Sequence, residues 1–145
     1  MIRCDPALAR AREAVRSGEL TLDDAPANFR NDRQLVLGAV RYDGFAYTCA
    51  PDSLKSDRTV AMAAVQTNGS VLRIMSDELR DDFEVVLAAV QNDGLALSFS
   101  STNMKNNREV VFAAVKSNGL AIFAAPDEWA CDREIILAAV QNTFL

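Results

Sequence analysis

Hydrophobic and polar positions in this chain recur with a period of 25 residues. Each copy reads approximately Asp-Arg-x-Val/Ile-Val/Ile-x-Ala-Ala-Val-x-x-Asn/Asp-Gly. The clearest copies begin at Asp82, Asn107 and Asp132, and looser copies begin at Asp32 and Asp57. Repeats of this length form stacks in which each unit contacts mainly its neighbours. The spacing therefore predicts a solenoid of about five repeats.

The first half of each copy predicts an α-helix, as in the stretch from Asp82 to Gly94. Asp82 is placed to cap the free amides of the first turn, and Glu84 adds negative charge at the positive end of the helix dipole. Gly94 follows the last turn, where a glycine commonly takes the left-handed conformation that ends a helix. The same expectation applies to Gly44, Gly69 and Gly119.

Apolar side chains cover nearly every direction around these helices except one polar strip, which predicts helices enclosed on most sides. The strip is the surface that we expect to face solvent, and it supplies the candidate residues for binding a partner. We call these residues the polar ridge: Arg41, Gln66, Glu84, Gln91, Glu109, Lys116, Glu134 and Gln141.

Paired small residues in each helix predict a close-packed seam between neighbouring repeats. Two adjacent alanines, such as Ala88 and Ala89, let helices approach at the short end of the usual range of roughly 8–10 Å. The other pairs are Ala63-Ala64, Ala113-Ala114 and Ala138-Ala139. Gly38 replaces the first alanine in its copy, which is consistent with a tight site.

The second half of each repeat allows two interpretations. The alternation at Leu95, Leu97 and Phe99 could form a short strand, which would give a leucine-rich-like α/β solenoid. Alanine at the intervening position favours two short helical pieces instead, and Pro51 and Pro126 fit the first position of the second piece. The favoured fold class is an all-α, right-handed-type α-helical solenoid, with the α/β solenoid as the alternative.

The N-terminal segment, residues 1–29, fits a degenerate capping repeat of a single domain that spans residues 1–145, with regular repeats from residue 30. Asp5-Pro6 would open its helix with a cap and a proline in the first turn. Its arginines indicate either the polar terminal unit that solenoids need or a basic docking patch. These arginines are Arg3, Arg10, Arg12 and Arg16.

The C-terminal helix keeps the apolar pattern of the internal helices, for example at Ile135, Leu137 and Val140. Its outer side would face water unless something covers it. We expect a protein partner, self-association through this helix, a continuation of the chain in a longer protein, or Phe144 and Leu145 folding back as a lid.

Composition narrows the class of protein. Hydrophobic residues make up 50% and charged residues 24% of 145 residues, as in ordinary globular proteins. The net charge of −5 disfavours nucleic acid and anionic membrane surfaces as partners. Three cysteines, Cys4, Cys49 and Cys131, are an odd set that indicates reduced thiols. With no membrane span and no secretory signal in the sequence, we expect a cytoplasmic protein.

Residues that carry catalytic or metal chemistry are scarce. The chain has no histidine, the commonest general base and metal ligand near neutral pH. No phosphate-binding loop, dinucleotide fingerprint or nucleophile elbow occurs. Asp52, Asp77 and Asp127 share a repeat position, but they lack the close spacing of a calcium loop and are expected to cap short turns. We therefore expect no enzyme activity, no cofactor and no metal.

Arginines that follow the capping position predict a solvated salt-bridge ladder along one edge of the repeats. The ladder would join Arg33, Arg58, Arg108 and Arg133 to Asp57, Asp82 and Asp132. Each such pair stabilises the fold only slightly. A groove for an acidic peptide or phosphate is the alternative. Phe83 interrupts the arginine column and would be unusual in a phosphate site.

The units DDFEVVLAAVQNDGLALSFSS and NNREVVFAAVKSNGLAIFAAP closely resemble a tandem-repeat family of unknown function. Its members contain D-R-E-V-V-L-A-A-V-x-x-N-G-x-A-L units in bacterial and protist proteins, including effector-like proteins of intracellular bacteria. The resemblance covers roughly residues 30–145 and implies a helical repeat with a scaffold role. It supplies no established activity or site, and an effector-like member would be delivered to a host cytosol.

These observations predict a non-enzymatic scaffold that binds another protein through an extended face of the solenoid. The alternative is a structural or self-associating repeat module without a dedicated ligand. Fold alone does not decide between them.

Overall fold

The computed structural model describes residues 6–143, and every regular element in this range is an α-helix or a 3₁₀-helix. The longer α-helices carry the first half of each repeat. They are α1 (Pro6–Ser17), α2 (Arg33–Tyr42), α4 (Arg58–Thr67), α6 (Phe83–Asn92), α8 (Arg108–Ser117) and α9 (Arg133–Gln141). The predicted all-α repeat solenoid class is confirmed, and the handedness stays a prediction.

Each second half contains two short helical pieces, as the favoured interpretation predicted, and the strand alternative is wrong for residues 6–143. The first piece is a 3₁₀-helix in each regular repeat: η1 (Gly44–Cys49), η2 (Gly69–Ile74), η3 (Gly94–Phe99) and η4 (Gly119–Ala124). The second piece is a single turn: α3 (Asp52–Lys55), α5 (Asp77–Arg80), α7 (Thr102–Lys105) and the 3₁₀-helix η5 (Asp127–Cys131).

The chain divides into two compact units, residues 1–67 and 68–145. In the first unit α2 packs against both α1 and α4, and η1 packs on α2 and α4. In the second unit α8 packs against both α6 and α9, while η3 packs against both η2 and η4. The single domain expected from the sequence stays a prediction.

The predicted helix caps are present. The Oδ1 atom of Asp82 accepts hydrogen bonds from the backbone amides of Glu84 at 3.0 Å and Val85 at 3.2 Å. Equivalent caps are formed by Asp32, Asn107 and Asp132. Since the first amides of a helix have no partner within it, these side chains fix where each long helix begins.

The predicted left-handed glycines are wrong. Helix α6 is followed by Asp93 in an extended conformation, with φ of −143°. The Asp93 side chain then accepts from the Leu95 amide at 3.0 Å and caps η3, so Gly94 starts a 3₁₀-helix and does not end the α-helix in a left-handed turn. Within residues 6–143 only Gly18 has a positive φ, of 82°.

Close packing against the next repeat explains why a glycine recurs at the start of η2, η3 and η4. A Cβ atom at Gly94 would lie well inside 3.0 Å of the carbonyl oxygen of Ala114 in α8. Gly69 and Gly119 meet the carbonyls of Ala89 and Ala139 in the same way. The glycine of one repeat therefore packs directly against the backbone of the second alanine in the next repeat.

The second alanine of each predicted pair is buried, whereas Ala88 and Ala113, the first alanines of their pairs, are partly exposed. Ala64, Ala89 and Ala114 have no solvent exposure, and the valine that follows each of them is also fully buried. Protein interiors are close-packed, so a fully buried position has little room for an added methylene group. A larger side chain at one of these buried alanines would therefore disturb the packing around it.

The short turns are capped one residue earlier than the sequence predicted. Ser76 and Ser101 accept from the amides of Leu79 at 3.4 Å and Met104 at 3.2 Å. Pro51 and Pro126 occupy this same cap position and not the first helical position. Asp52, Asp77 and Asp127 begin the turns, where their charge lies near the free amides of the first turn.

The degenerate first repeat keeps the packing of the others without their 3₁₀-helix. Leu22 and Ala25 are buried in an irregular segment between α1 and α2. The Arg30 guanidinium donates to the Ala25 carbonyl at 3.0 Å, as Arg80 donates to Met75 at 3.1 Å. Pro6 begins α1 as predicted, and the expected cap Asp5 lies outside the described residues.

Candidate interaction surfaces

Two pairs of the predicted salt-bridge ladder are confirmed, one in each unit. Arg33 Nε donates to Asp57 Oδ2 at 2.7 Å, and Arg108 Nε donates to Asp132 Oδ2 at 2.9 Å. In both pairs the arginine follows one capping residue and binds the carboxylate of the next, 24 residues later. The first repeat varies this scheme, because Arg12 from within α1 pairs with Asp32.

The ladder carboxylate of Asp57 serves two partners with separate oxygens. Asp57 Oδ1 accepts from the Thr59 amide at 2.9 Å and caps α4, while Oδ2 receives Arg33. The hydrogen bond from Arg33 is the main cause that holds the pKa of Asp57 below its ordinary value. The hydrogen bond from Arg108 lowers the pKa of Asp132 for the same reason. These ion pairs are satisfied within the fold and leave little charge for an external ligand.

The interruption of the arginine column at Phe83 coincides with a second irregularity that sequence analysis missed. The cap 24 residues after Phe83 is Asn107, a neutral residue that still accepts from the Glu109 amide at 3.0 Å. An asparagine caps a helix as well as an aspartate does, but its side chain carries no charge for an arginine to meet. The arginine missing at residue 83 and the carboxylate missing at residue 107 would therefore have formed one ion pair of the ladder.

All eight residues of the polar ridge are exposed, as predicted. In the second unit, Gln91, Glu109 and Lys116 line a shallow groove of about 410 Å³ between α6 and α8. Phe112 lies in the same groove, with Arg108 at 5.9 Å and Lys116 at 5.6 Å from its ring centroid. The arrangement presents an aromatic side chain flanked by two cations.

The remaining ridge residues are not brought together in this groove. Glu134 accepts a hydrogen bond from Arg108 at 2.6 Å and so belongs to the ladder. Arg41 lines a different groove, between α1 and α2 in the first unit. Gln66, Glu84 and Gln141 are exposed on their helices and line neither of these grooves.

Exposed apolar side chains on the 3₁₀-helices of the second unit are the feature that sequence analysis missed. We call it the apolar strip, and it consists of Ile74, Leu95, Leu120 and Phe123, which are 42%, 43%, 48% and 84% exposed. These residues lie on η2, η3 and η4, which pack in succession within the second unit. The alternation from Leu95 onward was the available signal, but a strand pattern does not predict which side of a 3₁₀-helix faces solvent.

A second apolar surface lies at α9 and adjoins the strip. Leu137 and Val140 are each about half exposed, which agrees with the expectation that the outer side of this helix faces water. A groove of about 570 Å³ lies between α9 and η4, lined by Ile136, Val140 and Phe123 among others. The proposed lid, Phe144 and Leu145, lies outside the described residues.

The part of the chain that is described offers few groups with unusual chemistry. No set of three His, Cys, Asp or Glu side chains in residues 6–143 is arranged to hold a metal ion. Cys49 and Cys131 are exposed free thiols, and Cys4 is not described. No helix in the same range has the length and apolarity needed to cross a membrane.

Comparison with known proteins gives one family. The model described as "Domain of unknown function (DUF4116)" matches residues 11–55, 32–80, 57–105, 82–129 and 107–144. The chain belongs to this family. Four of the matches to DUF4116 begin at a helix cap, and the first begins at residue 11, inside the segment predicted to be degenerate. No curated protein and no solved structure matches the chain.

Proposed function

We propose that this DUF4116 chain is a non-enzymatic scaffold that binds another protein through the apolar strip of its second unit. The observation that carries the proposal is the exposure of large apolar side chains on consecutive 3₁₀-helices. Scattered apolar residues are common on soluble proteins, whereas neighbouring ones on packed elements form the patches typical of protein interfaces. Phe123, which is 84% exposed, is suited to act as the anchoring residue.

The polar groups of the repeat support this proposal because they are used internally. In residues 6–143 every buried side-chain nitrogen and oxygen has a hydrogen-bond partner. The capping residues and the ladder hold the repeats in place, so the same residues are not needed for a ligand. The groove around Phe112 is a second candidate contact, since it combines an aromatic ring with the ridge residues Gln91 and Lys116.

Site-specific photo-crosslinking in cells that express the chain tests the proposal. A benzoylphenylalanine at position 123 is expected to crosslink to one discrete protein. The double substitution Leu95→Ser/Leu120→Ser should abolish this crosslink without lowering the melting temperature appreciably, because both side chains are already about half exposed. The matched variant Gln91→Ala/Lys116→Ala should retain it.

Three results would distinguish the surfaces. Loss of the crosslink only with Gln91→Ala/Lys116→Ala would assign the partner to the ridge groove. Retention of the crosslink in both double variants, or a smear of many crosslinked proteins, would contradict a specific scaffold role.

The runner-up is a self-associating module, and one observation favours it. Leu137 and Val140 on α9 and the adjoining groove form an apolar surface at which a second copy could dock. Size-exclusion chromatography with light scattering should then show a dimer that Leu137→Asp converts to a monomer. A monomer whose mass does not change with concentration would remove this alternative.

A further inference from the structure

Helices α1 and α2 form a positively charged surface on a chain whose net charge is −5. Three arginines of α1 and two of α2 give five cations, and Glu13 is the single carboxylate that the two helices carry. Two of the five arginines are neutralised by the ladder, because Arg12 pairs with Asp32 and Arg33 pairs with Asp57. The excess charge therefore resides on the other arginines of this helix pair.

Arg16 and Arg41 are the two of these arginines that converge. Both line a groove of about 270 Å³ between α1 and α2, together with Gln34, Gly38 and Tyr42. Neither guanidinium has an ion-pair partner among the described residues. Two unpaired guanidinium groups beside one groove repel each other, and an anion placed between them would relieve that repulsion.

Gly38 also lines this groove and explains how Arg16 comes to lie there. The equivalent position holds alanine in the later copies, at Ala63, Ala88, Ala113 and Ala138. A Cβ atom at Gly38 would meet Arg16 Cγ at 3.0 Å, which is tighter than an ordinary van der Waals contact. The glycine therefore makes room for the Arg16 side chain to cross the surface of α2.

We propose that this groove binds an acidic segment of a partner protein, with an Asp or Glu carboxylate held between Arg16 and Arg41. Guanidinium groups bind carboxylates through paired, charge-assisted hydrogen bonds. The Gln34 amide is a further donor in the same groove. The volume of about 270 Å³ lies just below the range of pockets that enclose drug-sized molecules and suits a side chain.

The overall charge distribution favours a short protein segment over a nucleic acid. A polyanion would extend beyond this helix pair onto a chain with five more negative than positive charges, where it would be repelled. A peptide places only a few charges in the groove and avoids that repulsion. The inference rests on the proposed function only in taking the partner to be a protein, since the apolar strip lies in the other unit.

Fluorescence anisotropy of the full chain with a labelled peptide of alternating glutamate and serine tests this inference. The peptide should bind, its affinity should fall as salt is added, and a glutamine–serine peptide should not bind. Arg16→Gln/Arg41→Gln should weaken binding by about tenfold or more. The control Arg73→Gln/Arg133→Gln removes the same charge from exposed positions in the second unit and should leave binding unchanged.

A further variant tests the groove without altering charge. Gly38→Ala keeps both arginines but displaces the Arg16 side chain, so it should bind the peptide more weakly than the parent chain does. Melting temperatures of all variants verify that they are folded.

Four results would overturn the inference. They are equal binding of the two peptides, equal loss in both arginine pairs, parental affinity of Gly38→Ala, or tighter and Arg16-dependent binding of single-stranded oligouridylate. Crosslinking from position 123 is read separately, so failure at this groove is distinguishable from failure of the scaffold proposal.

Discussion

Gly94 contacts the carbonyl group of Ala114 so closely that no side chain can be placed at residue 94 without moving one of them. The contact joins the start of one 3₁₀-helix to the C-terminal half of the next α-helix. A backbone carbonyl that is bonded within its own helix cannot rotate away as a flexible side chain can. This contact therefore sets the distance between consecutive repeats in the second unit.

We expect Gly94→Ala to destabilise the chain by about 1–3 kcal/mol, the usual cost of overpacking a tight site. Urea unfolding measures the change in the free energy of unfolding. Leu95→Ala is the control, because Leu95 lies on the same 3₁₀-helix with 43% of its surface exposed. Equal stability of Gly94→Ala and the parent chain would show that the two repeats can separate at little cost.

Ala89→Leu should destabilise the chain, because Ala89 supplies the carbonyl in a contact of the same kind, with Gly69. Ala89 is fully buried in α6, and its carbonyl faces Gly69. Three additional carbon atoms have no space there, so we expect a loss of about 1–3 kcal/mol or more and a lower melting temperature. Gln91→Leu introduces the same side chain at an exposed position of α6 and should melt near the parent temperature. If Ala89→Leu melted at the temperature of the parent chain, residue 89 would have room for a larger side chain and the seam would not be tightly packed.

Restoring the ladder at its neutral step should produce a measurable coupling. Phe83→Arg and Asn107→Asp each introduce one charge without its partner, whereas the double variant rebuilds the arrangement of Arg108 and Asp132. A double-mutant cycle should therefore give a favourable interaction that weakens at high salt. Additive effects of the two substitutions would show that Phe83 and Asn107 are independent irregularities.

Tyr47 should make the stability of the chain sensitive to alkaline pH. Burial raises the pKa of Tyr47 from 10.0 to about 12, and its hydroxyl donates to the Lys55 carbonyl. The unfolded chain releases this proton near pH 10 while the folded chain retains it, so the stabilising contribution is complete below pH 10 and is lost as the pH rises from 10 towards 12.

Urea unfolding of the parent chain, Tyr47→Phe and Tyr42→Phe at several pH values between 9 and 12 tests whether stability falls as Tyr47 ionises. The loss of stability at alkaline pH should disappear in Tyr47→Phe and persist in Tyr42→Phe. If both variants lost stability in parallel with the parent chain, another group would be responsible.

The caps, the seam and the exposure of the polar ridge could be predicted from sequence because each depends on local chemistry at a fixed repeat position. Asp82 has a free amide to bind wherever a helix starts, and Ala89 is small in any environment. The role of Gly94 could not be predicted, because a glycine needed for close approach and a glycine needed for positive φ are the same residue in the sequence.

The candidate surfaces depended on information that the repeat pattern lacks. Leu95 and Leu97 are both leucines on η3, yet Leu95 is 43% exposed and Leu97 is fully buried. A 3₁₀-helix has three residues per turn, so side chains two residues apart point in different directions. On a strand, side chains two residues apart share a face. Arg16 and Arg41 occupy the same repeat position, but only the packing of α1 on α2 places them on one groove.

The pairing of an arginine with an aspartate 24 residues later has a consequence for how such chains change length. Where a repeat carries this arginine, its acceptor belongs to the next repeat, so loss of a whole period keeps the remaining donors matched unless it leaves an arginine before the neutral Asn107. Excision of residues 83–107 would remove Phe83 and Asn107 together and join Asp82 to Arg108. Gene segments that encode such a period can therefore be copied or deleted without breaking these ion pairs, whereas insertion of one residue between an arginine and its aspartate would break the 24-residue spacing of that pair.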